Sequence, residues 1–241
     1  MGIERPRVPV CWPGGEPLSE FRQDLLAGRV ALVTGGGTGI GREIARQLGL
    51  HGARVVICSR RQAVLDATAA ELSKEGIECL AMAADIRDTQ AVETVVNHTI
   101  ETLGGLDILI NNAAGNFPAR IEDLSYNAFR TVVEIDLQGT FNVSKAAFAA
   151  VMKERGGVVI NITAPMEHIG ASWQSHAAAA KSGVISFTRS AAAEWAPLGI
   201  RVNGIAPGEI KDTEGVDRLA DQLTNEGQSR RVGSAVDIAN A

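Results

Sequence analysis

Val30-Ala-Leu-Val33 runs directly into Thr34-Gly35-Gly36-Gly37-Thr38-Gly39-Ile40-Gly41, and an amphipathic stretch begins there. Glycines at a strand-to-helix turn let the backbone approach a pyrophosphate, whose charge the free N–H groups of the helix N-terminus favour. Tight turns also collect glycine, but this string follows a first strand and opens a first helix, the context dinucleotide binding requires. The next β-branched run ends Ile57-Cys58-Ser59-Arg60-Arg61. An NAD site places an acid about there for the adenosine ribose hydroxyls, and none is present. Ser59 and Arg60 offer a hydroxyl and a cation that suit a 2′-phosphate, unless they are simply a solvated end of the strand. The expected cofactor is NADPH rather than NADH.

These residues need elements to hold them. Short β-branched runs at 29–34, 53–58, 78–83, 108–111, 158–163 and 201–205 alternate with longer amphipathic stretches at 40–50, 62–74, 89–103, 125–153, 175–195 and 213–223. Strands separated by helices of that length imply βαβ crossovers. The strands are nearly continuous apolar runs, as parallel strands buried on both faces should be. The pattern predicts an α/β fold, a Rossmann-like doubly wound parallel sheet with helices on both faces. Residues 1–24, with Pro6, Pro9, Pro13, Pro17 and Gly14-Gly15, read as a surface arm, and 25–241 as one domain.

The 241 residues are 45% hydrophobic and 21% charged, enough for a packed core and against disorder. No apolar run approaches the ~20 residues needed to span a bilayer, so no membrane insertion is expected. With a net charge of −5 and no basic block, nucleic acid is not an expected partner. Three cysteines without a C-x-x-C, and scattered histidines, give no disulfide framework and no metal site.

The spacing of Gly35, Gly39 and Gly41 resembles the T-G-x-x-x-G-x-G of the short-chain dehydrogenase/reductase family. Asp85-Ile86, Asn111-Asn-Ala-Ala-Gly115 and Pro207-Gly208 agree with that family in order and distance. The resemblance implies that Gly35, Thr38, Gly39, Ile40 and Gly41 form the cofactor loop and that Asp85 and Ile86 contact adenine. It further implies that Asn112 and Ala113 shape the adenosine pocket, and that Pro207 and Gly208 flank the nicotinamide. The chain departs from the family at its centre. Lys181 is in place, but Ala177 stands four residues before it where Tyr is usual, and the strand end carries Ala164 in place of Ser. Spacing of four puts Ala177 and Lys181 on one helix face, so the proton donor a ketone reductase needs is missing.

A narrower group accounts for this departure. Asn116-Phe117, Ile135-Asp136-Leu-Gln-Gly-Thr-Phe-Asn142 and His176-Ala177-Ala-Ala-Ala-Lys181 resemble the 2,4-dienoyl-CoA reductases of peroxisomal type. The resemblance implies reduction of a conjugated dienoyl thioester by NADPH, with hydride entering at the δ-carbon and charge moving onto the thioester oxygen. Asn116 would donate to that oxygen, Lys181 would hold the nicotinamide ribose, and Asp136 with Lys181 would relay the proton that ends on carbon. The residues leave other readings open: Asp136 as a buried carboxylate fixing the Lys181 helix, Asn116 as a turn residue, and His176 as packing rather than substrate contact. Phe117 is expected at the substrate, and Arg218 at the phosphates of an acyl-CoA unless it is solvated. The group also implies a homodimer or homotetramer and a peroxisomal location. Relatives continue beyond this point into a seventh strand, so the domain is expected to be C-terminally incomplete. A trans-2-enoyl-CoA reductase, which keeps Asn at the position of Asp136, and an inactive cofactor-binding protein are the alternatives.

Overall fold

The computed structural model describes residues 21–166, 170–211 and 233–241. Six strands, β1 (Val30–Thr34), β2 (Arg54–Ser59), β3 (Cys79–Ala83), β4 (Ile108–Asn111), β5 (Gly157–Ile162) and β6 (Ile200–Ile205), form one sheet in the order β3-β2-β1-β4-β5-β6. Every pairing is parallel. Helices α1 (Gly39–Leu50), α2 (Gln62–Lys74) and α3 (Thr89–Leu103) make the first crossovers. The expected strands and these three helices fall within a residue of the sequence reading. The helix expected at 213–223, together with Arg218 and residues 1–20 of the expected arm, lies outside the described residues.

Side-chain alternation along each strand divides the core into two layers. Leu32, Val56, Leu109, Val159 and Val202 face one side, under α3 and the later helices. Val33, Val55, Ile57, Ile110 and Ile162 face the other, under α1 and α2. The α3 crossover has clear local causes. The Asp88 carboxylate caps its start by accepting from the backbone N–H groups of Gln90 and Ala91, and Gly104, at φ 79°, ends it.

The single helix expected over 125–153 is a continuous rod with two π turns in it. It runs through α4 (Tyr126–Val133), a π turn at Glu134–Gln138, α5 (Gly139–Ala147), a second π turn at Phe148–Met152 and α6 (Lys153–Arg155). Helix α7 (Ser175–Trp195) follows β5, and the short α8 (Ala235–Ala239) packs against α1. A buried amide chain fixes the rod and α7 to the sheet. Asn111 Nδ2 donates to Ser144 Oγ at 2.9 Å and to Asn161 Oδ1 at 2.8 Å, and Asn161 Nδ2 donates to Thr188 Oγ1 at 2.8 Å. No helix among the described residues is long and apolar enough to cross a membrane.

Candidate active site

The strand order reverses between β1 and β4, and at such a switch point the loops leaving the carboxyl ends of the strands part to form a crevice. Here the crevice holds about 270 Å³ and is lined by Gly35, Thr38, Gly39, Ile40, Ser59, Arg60, Asp85, Ile86, Asn112 and Ala113, all expected at the cofactor, together with Gly37, Cys58, Arg61, Val64, Ala84, Ala114 and Ile135. Gly41 lies behind the loop. A Cβ there would run into the carbonyl of Gly35 and the amide of Asn112, so only glycine lets α1 start this close. Gly35 itself sits at φ 66°.

Thr34 is a residue that the sequence reading missed. Its Oγ1 accepts from the backbone N–H groups of Asn112 and Ala113, at 3.0 and 3.1 Å, pinning the end of β4 to the start of the glycine loop. Asn112 returns the tie by donating its side-chain amide to the carbonyls of Thr34 and Gly35. Asn142 supports the far wall, donating to the Ile86 carbonyl at 3.0 Å. Among Asn-rich motifs the residues that brace backbone are not separable by type from those that meet a ligand.

Across the crevice, Ser59 is half-buried with its hydroxyl facing Gly37, and Arg60 is exposed. Asp85, which also lines the crevice, is held by Arg87, whose guanidinium keeps its pKa below the ordinary value, with Arg60 adding to the effect. Burial pushes the Cys58 thiol up to about 12, so it stays protonated at the crevice wall.

The second cluster lies where the rod, β5 and α7 converge. Asp136 sits in the first π turn and is 1% exposed; its Oδ1 accepts from Gly115 N–H at 2.7 Å. Lys181 Nζ lies 3.7 Å from Asp136 Oδ2 and donates to the Ile162 carbonyl at 2.8 Å. Burial raises the Asp136 pKa, opposed by the Lys181 charge and the Gly115 N–H, and burial lowers that of Lys181, opposed by Asp136. The two affinities for a proton are thereby drawn together, which is what a relay between them needs. Ala177 is buried on the same helix and presents no hydroxyl.

Asn116 Nδ2 donates to Gln174 Oε1 at 2.8 Å. The Phe117 ring lies 4.5 Å from that of His176, which is fully buried and whose two nitrogens have no hydrogen-bond partner among the described residues. Burial lowers the His176 pKa, with the Phe117 backbone pulling the other way. Pro207 and Gly208 follow β6, whose end is tied to that of β5 by Thr163 N–H donating to the Ile205 carbonyl at 2.7 Å. Neither residue lines the crevice.

A glycine-loop crevice at the switch point, and a buried lysine on the helix after β5, define an oxidoreductase of the nucleotide-binding type. The family model for short chain dehydrogenase matches residues 29–224, and the chain belongs to that family. It is 46% identical over 200 residues to a peroxisomal 2,4-dienoyl-CoA reductase of Danio rerio, covering 83% of this chain and 67% of that one. A protein of the same name from Arabidopsis thaliana is 43% identical over 237 residues, covering 92% and 80%. The crystal structure of an actinorhodin polyketide ketoreductase with NADPH superposes with a TM-score of 0.82 at 31% identity, covering 88% of this chain and 87% of that one.

Proposed function

We propose that the chain reduces 2,4-dienoyl-CoA thioesters to 3-enoyl-CoA with NADPH. The observation that carries the reading is the buried Asp136–Lys181 pair beside Ala177, a proton relay without the hydroxyl a ketone reductase requires, in a chain 43–46% identical to two proteins of that name. The residues present suit the dinucleotide: only glycine at Gly35 and Gly41 lets the loop and the start of α1 pack this closely, and no acid stands at the tip of β2 to repel a 2′-phosphate. Gly35, Thr38, Gly39, Ile40 and Gly41 would form its pyrophosphate loop, Ser59 and Arg60 would meet the 2′-phosphate, and Asp85, Ile86, Asn112 and Ala113 would enclose the adenosine. Pro207 and Gly208 would flank the nicotinamide and Lys181 its ribose. When bound, NADPH supplies the hydride.

The remaining work falls to the chain. Asn116 donates from its side-chain amide toward the thioester oxygen, where negative charge develops, and a dienolate needs such a donor rather than a strong acid. Lys181 keeps positive charge beside it. Asp136 and Lys181 pass the proton that is finally placed on carbon. Phe117 walls the acyl path with His176 behind it, and Arg218 meets the CoA phosphates. The same reading holds residues 25–241 as one domain after an arm, assembled as a homodimer or homotetramer. Peroxisomal placement comes from the relatives, which carry that word in their names.

The test is NADPH oxidation by the purified chain with a 2,4-dienoyl-CoA, a 2-enoyl-CoA and a 3-oxoacyl-CoA, with nucleotide binding measured alongside. Oxidation confined to the dienoyl thioester is expected. Turnover of the 2-enoyl thioester instead would make the chain a sister enzyme, and nucleotide binding without turnover would make it a non-catalytic binder.

A further inference from the structure

The loop after β4 and the loop before α7 are locked together by four contacts. Asn116 Nδ2 donates to Gln174 Oε1 at 2.8 Å, and Ala119 N–H donates to the Trp173 carbonyl at 2.9 Å. The Arg120 guanidinium lies 4.7 Å from the centre of the Trp173 ring, and the Phe117 ring packs, tilted by 32°, against that of His176 in the first turn of α7. Trp173 takes φ 66°, the only non-glycine residue in the left-handed region among those described. A bulky residue rarely holds that conformation unless its surroundings impose it. Its effect is to start α7 at Ser175 with Gln174, still outside the helix, pointed across at Asn116.

A carboxamide has two ends of the same shape and opposite polarity. Turned one way, Asn116 offers hydrogens to an oxyanion; turned the other, it sets a carbonyl oxygen against it. With Gln174 Oε1 on one hydrogen of the nitrogen, Asn116 stands in the first orientation, and the direction of its second hydrogen is fixed. We infer that Gln174 is a positioning residue for Asn116, holding its amide in the donating orientation; this rests on the reading of Asn116 as the donor to the thioester oxygen. Gln174 touches no reacting atom and acts only through its neighbour.

The experiment compares Gln174→Met, Asn116→Ala and the double variant with a 2,4-dienoyl-CoA, counting sites by NADPH titration so that any misfolded fraction is removed. Gln174→Met nearly keeps side-chain volume and removes the acceptor. It is expected to lower kcat about tenfold, as a misplaced oxyanion donor should, with KM changed less than about twofold. In the Asn116→Ala background it is expected to add almost nothing. Gln174→Met with normal kcat beside a slow Asn116→Ala would overturn the positioning role and leave the Asn116 reading standing. Losses that multiply in the double variant would show that Gln174 acts by contacts of its own. A normal kcat in Asn116→Ala would remove the Asn116 reading and this inference with it.

Discussion

Asp136 and Lys181 are each charged at a burial cost that the other offsets. The Asp136 pKa is raised, so the folded state gains from this group below the unfolded value of 3.8 and loses that gain as pH rises through the folded pKa. The Lys181 pKa is lowered, so its gain is present above 10.5 and lost as pH falls through the folded pKa. Each shift works against its group's charged form, and each group depends on the other to hold its charge. Lys181→Met should therefore cost about 3 kcal/mol at pH 7, since it leaves a buried carboxylate unpaired. The deficit should shrink toward pH 5 as Asp136 takes up a proton; urea titrations at the two pH values check this, and a deficit that grows on acidification would refute it. Adding Asp136→Asn to Lys181→Met should restore stability at pH 7 without restoring activity. Asp136→Asn alone should lower dienoyl-CoA turnover by about 10²–10⁴-fold while leaving NADPH affinity nearly unchanged, the pattern of a lost proton relay.

The glycine loop binds by closeness of backbone, so its sensitivity belongs to the β1–α1 unit as a whole. Gly41→Ala should force α1 away from Gly35 and Asn112, weakening NADPH binding by about tenfold or more, comparable to the 1–3 kcal/mol of an overpacked core. At the tip of β2, Arg60→Ala should raise the Kd for NADPH about 10- to 100-fold and leave that for NADH unchanged, the loss of a charge-assisted contact to one phosphate. Fluorescence titration with both nucleotides reads each effect, and equal weakening of the two would dismiss Arg60 as the discriminating cation. Elements of this kind were legible in the sequence, because apolar run length and glycine spacing are local signals. The Asn116–Gln174 tie was not: it joins residues 58 apart, and its partner is a plain Gln between Trp173 and a helix start. Nor was the turn at Trp173, since nothing in that residue's type announces a left-handed backbone. The π turns escaped because apolar periodicity over so long a helix hardly changes when one residue is added to a turn.

Across the molecule, both sheet faces are covered, yet the outer side of the rod and α7 shows an aromatic row. Phe141, 44% exposed, meets Phe187 edge-on, and Trp195 links Phe187 to Phe148. If this row is the subunit contact of the proposed homo-oligomer, Phe141→Glu should shift sedimentation from two or four chains toward one while the nucleotide site survives, whereas a native protein that sediments as one chain would discard the assembly. The rod carries a further consequence through its π turn at Glu134–Gln138. Such a turn holds one residue more than an α turn, so the extra residue is absorbed within the turn and the two halves of the helix keep their facing. Removing any single residue from that window would let the rod close as ordinary α-helix, with its length and helical content almost intact. The flanking halves would keep their directions, and only the residues inside the window would shift around the axis. The Tyr126 end and the Phe141 row would stay as they are, while Asp136, inside the window, would lose its alignment with Lys181. A one-codon deletion there would therefore leave the fold standing and fall on the Asp136–Lys181 pair alone.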